Sequence, residues 1–419
     1  MQRILVESQS NPLFRGIQGE HDYEQRGLCQ IGRGHVLATT HPVSRPYLDY
    51  WQGLGFSLPH RIVAGPFDPR FNLSQLLLRK PRLREAIRSL TVGRRPRLEF
   101  FHIEPSEARL AKALDLPAYC SFRLAWSLSD KIAFKKLCAR LSLPTPPCAH
   151  ARELLERTGS DKEWLWREPV LLKHRKGTGG VRCGGMMVLQ GERDRETLSE
   201  VMKSSPSEFF VERLVPSPFA EVSLHWEITE ASELKIHGFF DQKSSDYSYV
   251  GASFPSTLSP SLRSVILRQL RGKLIPYLRE RDAKGFFCCD ILVDSQGVPQ
   301  WIDFHPRKGA ILYIRSMVRR MESRWLRRGR LSFNHLQASL PFGSFPLDFQ
   351  GVEYILKDLL QPDRDPFLVV TNPGIVESGR VDLTAVSRAS FQATEEILGE
   401  AQNRLQCCVK RDFARGANR

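Results

Sequence analysis

Cys288-Cys289-Asp290-Ile291-Leu292-Val293 and, after a short turn, Trp301-Ile302-Asp303-Phe304-His305-Pro306-Arg307 are the two runs whose reading decides the fold. Each sets one aspartate inside an otherwise apolar run, where a carboxylate is costly unless it is paired or bound to a metal. Asp294-Ser295-Gln296-Gly297 between them is turn chemistry, so Phe286 to Val293 and Gln300 to Phe304 read as a hairpin. On a strand Asp303 and His305 share a face, because side chains repeat with period two, and hairpin pairing lets Asp290 reach the same spot. Two carboxylates plus one further ligand are what a hard Mg²⁺ ion needs beside a nucleoside triphosphate. Arg307 then stands close by to neutralise a transferring phosphoryl group. The plain alternative is a structural salt bridge, Asp303 with Arg307 or Asp290 with Arg315.

Upstream, Val170-Leu171-Leu172-Lys173 is a buried-strand pattern that ends in a lysine. It is followed by Lys176-Gly177-Thr178-Gly179-Gly180-Val181-Arg182-Cys183-Gly184-Gly185, and Met186 to Leu189 resumes as a strand. Glycines let backbone N–H groups approach a polyphosphate closely. Neither a Walker A loop nor G-x-G-x-x-G is present, so the segment reads as a phosphate-covering loop or as a mobile hairpin loop. Lys173 is a point charge for phosphate oxygens, or a snorkelling edge lysine. Lys131, which opens a helical stretch to Leu143 behind Asp130, has the same two readings. Arg175, Lys176 and Arg182 add positive charge around the loop. Phe209 to Val215 and Glu221 to Ile228 are further strands, carrying Glu212 and Glu221.

The rest of the chain frames this region. Val36 to Thr40, Arg61 to Pro66 and Leu98 to Ile103 are strand candidates, and Pro105-Ser106-Glu107 opens a helix through Leu114. Strands alternating with helices argue for an open α/β layer over the first 120 or so residues. Leu262 to Arg281 reads as a helix. Arg315 to Arg330 holds seven arginines and one acid, Glu322, on a helical pattern: a solvated face, or a grip on an anionic substrate. Phe367 to Thr371 is a strand, and Leu383 to Leu405 reads as a final helix.

Composition sets the outer limits. The 419 residues exceed one ordinary domain. With 41% hydrophobic and 26% charged residues, the chain falls in the soluble globular class. No window of 18 apolar residues exists and the start lacks a signal-peptide core, so the expectation is a cytoplasmic protein without a membrane span. Sixty-one Lys plus Arg against 46 Asp plus Glu give +15, which fits an anionic partner or serves solubility alone. The nine cysteines include no Cys-x-x-Cys, and this usage suits a reducing compartment rather than a zinc site. His102/Glu104 and His225/Glu227 form His-x-Glu pairs, read as core or strand-face residues before metal ligands.

The order of these elements resembles the ATP-grasp superfamily, in its carboxylate–amine/thiol ligase branch, over roughly residues 120 to 312. The resemblance implies an α/β architecture of α+β lobes: an N-terminal preface domain over 1–122, an ATP-grasp domain over 123–312 and a C-terminal extension over 313–419. It implies that Lys131 and Lys173 contact the nucleotide phosphates, with Lys176, Gly177, Thr178, Gly179 and Gly180 in the loop that closes over them. Glu212 and Leu214 belong to the hinge that reads adenine, and Glu221 holds the ribose. Asp290, Asp303 and His305 form the metal set, Lys173 and Arg307 assist the transfer, and Arg307, Lys308 and Gly309 meet the carboxylate substrate. The family has Glu where Asp303 stands and Asn where His305 stands. A histidine ligand suits Mn²⁺ better than Mg²⁺. The function implied is an ATP-dependent ligase that joins a small-molecule or peptide carboxylate to an amine through an acyl phosphate. The arrangement is similar to peptide-forming ligases of natural-product pathways. A degenerate ATP-binding protein without ligase activity is the second reading, and a nucleic-acid-associated basic protein the third.

Overall fold

The computed structural model describes residues 1–8, 20–151, 164–176, 186–190, 194, 208–325, 331–339 and 347–416. The chain opens with a parallel four-stranded sheet in the order β3-β2-β1-β4. Its elements in sequence are β1 (Gln2–Val6), β2 (Val36–Thr39), α1 (Arg45–Gly53), β3 (His60–Val63), α2 (Leu73–Arg79), α3 (Pro81–Ser89), β4 (Pro96–Phe100) and α4 (Pro105–Leu114). Local chemistry sets α4: Pro105 sits in its first turn, and the Glu104 N–H donates to Glu107 Oε2 at 3.0 Å. Ile4, Val6, Val36, Ala38, Leu98 and Leu110 form the core of this layer.

A connecting pair of helices, α5 (Phe122–Leu128) and α6 (Lys131–Arg140), leads into a small antiparallel sheet of order β5-β8-β6-β7. It comprises β5 (Cys148–His150), β6 (Val170–His174), β7 (Met186–Leu189) and β8 (Phe209–Arg213), with the single-turn helix α7 (Trp164–Arg167) beside it. Asp130 caps α6 by accepting from the Ala133 N–H at 3.1 Å. The Lys131 N–H donates to the Arg175 carbonyl at 2.9 Å, which ties the helix start to the end of β6.

The third sheet has eight strands in the order β13-β12-β9-β10-β11-β14-β16-β15, every neighbouring pair antiparallel. Its members and helices are β9 (Ala220–Ile228), β10 (Leu234–Ser245), β11 (Ser248–Phe254), α8 (Pro260–Gln269), α9 (Ile275–Arg279), β12 (Gly285–Val293), β13 (Pro299–His305), α10 (Ala310–Trp325), β14 (Ser332–Ser339), α11 (Phe349–Leu356), β15 (Phe367–Val370), β16 (Arg380–Ser387) and α12 (Phe391–Gly416). The β12–β13 turn is closed by Asp294 Oδ1, which accepts from the Gln296 and Val298 N–H groups at 3.0 and 2.9 Å. Gly297 supplies the left-handed φ of 78° that this turn requires.

Two expectations are corrected. Leu383 to Leu405 is not one helix: Leu383 to Ser387 belongs to β16, which is buried between β14 and β15, and the helix starts at Phe391. Val381-Asp382-Leu383-Thr384-Ala385 alternates as a strand does, but Leu383 and Val386 also stand three apart, as on a helix face, so the run passes for the start of the helix. Leu262 to Arg281 is helical but interrupted by a π turn at Leu270–Leu274. Pro276 follows directly; it has no N–H to donate and its ring crowds the preceding turn, so the widened turn accommodates it. Among the described residues no helix is long and apolar enough to cross a membrane.

Candidate active site

The β9–β12–β13 ladder presents its polar side chains on one face. Asp290 is opposite both Asp303 and Ser223, and Cys288 is opposite both His305 and His225. Directly opposed residues point to the same side of a sheet, and so do alternate ones. Glu221, Ser223, His225, Asp290, Asp303 and His305 therefore face one way. Val222, Leu224, Trp226, Phe287, Cys289, Ile291, Trp301 and Phe304 pack into the core behind them. The register shifts between Asp290 and Ile291, so Ile302 is the extra residue of a bulge beside the aspartates.

Ligand atoms of Asp290, Asp303 and His305 all lie within 4.8 Å of one another. His305 Nε2 is 3.0 Å from Asp290 Oδ2, and Gln242 Nε2 from β10 donates to Asp290 Oδ1 at 2.7 Å. Asp303 Oδ1 is buried and accepts no hydrogen bond among the described residues. Lys173 Nζ stands 3.9 Å from it. Burial works against the Asp303 anion, but the ammonium groups of Lys173 and Lys131 outweigh it and hold the carboxyl well below its ordinary value. Asp290 is lowered too, with burial opposing and His305 favouring the anion. Hard carboxylate oxygens, one without a hydrogen bond, in a space of metal-site dimensions fit a divalent cation.

The small lobe faces this set. Glu212 on β8 is opposite Leu171, two residues before Lys173 on β6, so the two charged side chains share a face. Lys173 Nζ donates to Glu212 Oε1 at 2.6 Å. The other carboxylate oxygen pairs with Lys135 of α6, which also donates to Thr145 Oγ1 at 2.7 Å and to the Trp301 carbonyl at 3.2 Å. Lys135, Lys173 and Glu212 are 3%, 4% and 1% exposed. Lys135 was missed in the sequence, although it lies four residues after Lys131, on the same side of α6. Gln242 was missed as well, because β10 itself was not recognised.

The remaining predicted residues fall as follows. Lys131 is half-buried among the same charges; burial pushes its ammonium down, Asp303 opposes this and Lys173 adds to it. The Lys176 ammonium sits 3.7 Å above the Trp126 ring. Gly177, Thr178, Gly179 and Gly180 lie outside the described residues. The Leu214 N–H donates to the Pro169 carbonyl at 3.1 Å, which leaves this residue only its carbonyl to offer an adenine edge. Glu221 Oε2 accepts from Ser244 Oγ at 2.9 Å. Arg307 donates through Nη1 to the Lys308 carbonyl at 2.9 Å and lies 4.7 Å from the Phe101 ring centroid. Lys308 is 2% exposed and is held by Gln30 (2.7 Å) and Glu99 of the N-terminal layer. Burial pushes its ammonium down to about 8 against the pull of Glu99. A Cβ on Gly309 would clash with the buried His225 ring at Cε1, so the Arg307–Gly309 loop closes on that ring because residue 309 is glycine.

The ion pairs weighed as alternatives are not those that form. Arg315 pairs with Glu322 at 2.9 Å, and the cation nearest Asp303 is Lys173, not Arg307. The arginine helix is mixed: Arg319 and Arg324 are exposed and Arg315 is buried, while Arg327, Arg328 and Arg330 lie outside the described residues. Arg320 Nη1 donates to the Leu28 and Ile31 carbonyls, both at 3.0 Å, and Arg324 reaches the Gly55 carbonyl.

No family model and no curated protein matches the sequence. Solved structures do match along nearly the whole chain. N5-carboxyaminoimidazole ribonucleotide synthetase from Thermus thermophilus is 17% identical, with a TM-score of 0.57 over 97% of this chain and 98% of that one. The Staphylococcus aureus synthetase is 12% identical, with a TM-score of 0.58 over 96% and 97%. The Aspergillus clavatus synthase, solved with ADP and 5-aminoimidazole ribonucleotide, is 12% identical, with a TM-score of 0.58 over 96% and 98%. A parallel N-terminal sheet, a small antiparallel sheet and a large antiparallel sheet are thus arranged as in these proteins: the chain has the ATP-grasp fold.

Proposed function

We propose that the chain is an ATP-dependent carboxylate–amine ligase that forms an amide or peptide bond and releases ADP and phosphate. One observation carries the reading: Lys173 of the small lobe, held by Glu212, stands 3.9 Å from Asp303 of the large sheet, whose strand partner is Asp290. Nucleotide binding is supported by the ADP in the Aspergillus neighbour. Asp290 and Asp303 would hold Mg²⁺, or Mn²⁺ if His305 joins them, and the ion supplies positive charge to the triphosphate oxygens.

The chain's own groups then divide the work. Lys131 and Lys173 bring fixed positive charge beside the same oxygens, already desolvated and so effective in the transition state. Glu212, gripped by Lys135 and Lys173, fixes the direction of the Lys173 ammonium. The substrate carboxylate oxygen attacks the γ-phosphorus, and the bond to ADP breaks. The amine nitrogen attacks the acyl carbon, phosphate departs and the nitrogen loses a proton. Arg307 remains the cation for the substrate carboxylate, since Lys308 is engaged with Glu99. Seven free thiols among the described residues support a cytoplasmic location.

The test is a phosphate-release screen with MgATP and then MnATP against pooled amino acids, small peptides and other carboxylates, each with an amine. Release that needs both a carboxylate and an amine, and vanishes in Asp290→Asn, is the expected outcome. Thermal stabilisation by ATP with no ADP from any pair would instead favour an ATP-binding protein without ligase activity. The contact between His305 and Asp290 Oδ2 motivates that second reading.

A further inference from the structure

Three arginines of the large sheet's surroundings remain outside the chemistry above. Arg263 of α8 and Arg315 and Arg319 of α10 line one cavity of about 260 Å³, together with His237, Phe239 and Phe254. Among the described residues no carboxylate lines it. Arg315 is 5% exposed, and its Nη1 is taken by Glu322 at 2.9 Å, yet its Nε has no hydrogen-bond partner among the described residues; neither has Arg263 Nε. Buried guanidinium donors left without an acceptor are costly, so the cavity calls for an anion.

A second observation is independent of the arginines. The β9–β10 ladder shifts register between Ile236 and Gly238, which makes His237 the extra residue of a bulge directly at the cavity. Arg319 is tethered to that bulge, through Nη2 to the His237 carbonyl at 3.4 Å. Bulges beside sites re-aim side chains, and here the His237 ring lies between Arg319, whose Nη1 is 3.5 Å from its Nδ1, and Glu227, whose Oε2 is 3.3 Å from its Nε2. Phe239 and Phe254 give the cavity an apolar wall, and Arg315 lies 4.5 Å from the Phe254 ring centroid. The volume falls just below the ~300 Å³ at which sites for larger ligands begin, so a nucleotide does not fit but a small monoester does.

We propose that this cavity binds a small organic phosphate, with its phosphoryl oxygens on Arg263, Arg315 and Arg319 and its carbon body against the phenylalanines. The planar donor fork of arginine matches phosphate oxygens. The two framing elements also reach the candidate active site: β10 carries Gln242, which donates to Asp290, and α10 follows directly on the Arg307–Gly309 loop.

The test uses the full-length protein with saturating MgADP and fixed ionic strength, titrated with phenyl phosphate in a calorimeter. One saturable site is expected. Its affinity should fall at least tenfold in Arg263→Gln and in Arg319→Gln, with melting temperatures close to that of the parent. Neither side chain is fully buried, so both variants should fold. Absence of saturable binding at millimolar probe would overturn the proposal. So would an affinity unchanged in both variants, which would put the phosphate elsewhere.

Discussion

Asp303 shows how one side chain is asked to serve two environments. Its carboxylate is held ionised by Lys173 and Lys131 against the pull of burial. Asp303→Asn keeps the shape and removes the charge, while Lys173 retains Glu212. Ligase turnover should fall by about a hundredfold or more, the scale of losing one charge-stabilising group. The melting temperature should move by only about 1 °C for each ~1 kcal/mol lost, because the unfolding entropy grows with chain length. Circular dichroism and the phosphate-release assay check the two halves. The lowered carboxyl also sets a sign: it stabilises the fold above the ordinary carboxylate range, and that stability is lost as pH falls through the lower folded value. His305 decides a different question. Its Nε2 occupies one oxygen of Asp290, so His305→Asn should free the pair for a hard ion and lower the ratio of MnATP-driven to MgATP-driven rates. An unchanged ratio would mean that His305 does not touch the metal.

At the scale of strands and helices, legibility followed contrast. The β12–β13 hairpin was readable because apolar residues, an aspartate-glycine turn and two isolated acids coincide within a few residues, and the register of Asp290 with Asp303 matches that reading. The start of α6 behind Asp130 was readable for the same reason. By contrast, Leu234–Ser245 mixes lysine, histidine, glycine and serine with its phenylalanines. It carries no strand pattern of its own until the neighbours β9 and β11 supply its hydrogen bonds, and with it went Gln242. β16 failed in the opposite way: it is buried throughout, and one of its inward groups is Asp382. Burial lifts that carboxyl to about 7 against the pull of Arg26. A carboxyl raised in the fold stabilises it most at acid pH, and the benefit drains away as pH climbs from the ordinary carboxylate range through 7. Wild-type stability should therefore decline between pH 4 and 7 relative to Asp382→Asn, with a slope up to ~1.4 kcal/mol per pH unit for one proton. Denaturant melts of the two proteins at several pH values give the difference directly. A parallel pair of curves would show that Asp382 is ionised throughout.

Across the whole molecule the cleft separates two bodies of unequal strength. Behind the large sheet, Trp226, Phe287, Trp301, Phe304 and the residues of α8 and α9 build one continuous core. The core cluster of the small lobe holds seven buried apolar residues among those described, two of them alanines, namely Ala149 and Ala151. Apolar burial scales with the area removed from water, so the small lobe is the less stable unit when considered alone. Its ties to the rest are polar: Lys173 toward Asp303, Arg175 to Asp130 at 2.6 Å, and Lys135 holding Glu212 and the Trp301 carbonyl. A ligand bridging both sides adds to those ties and binds only the folded state, so it should stabilise the lobe by mass action. Amide hydrogen exchange should therefore be faster across β6 and β8 than across β9 and β12 in the free protein. Saturating MgADP should slow β6 and β8 severalfold while leaving β9 nearly unchanged. In Lys173→Met, which lacks the ammonium at the meeting point, the nucleotide should lose most of that protective effect. Equal exchange in the two sheets of the free protein would overturn the stability difference, and protection by MgADP confined to the N-terminal layer would show that nucleotide does not bind between the lobes, which would take away the physical basis of the ligase reading.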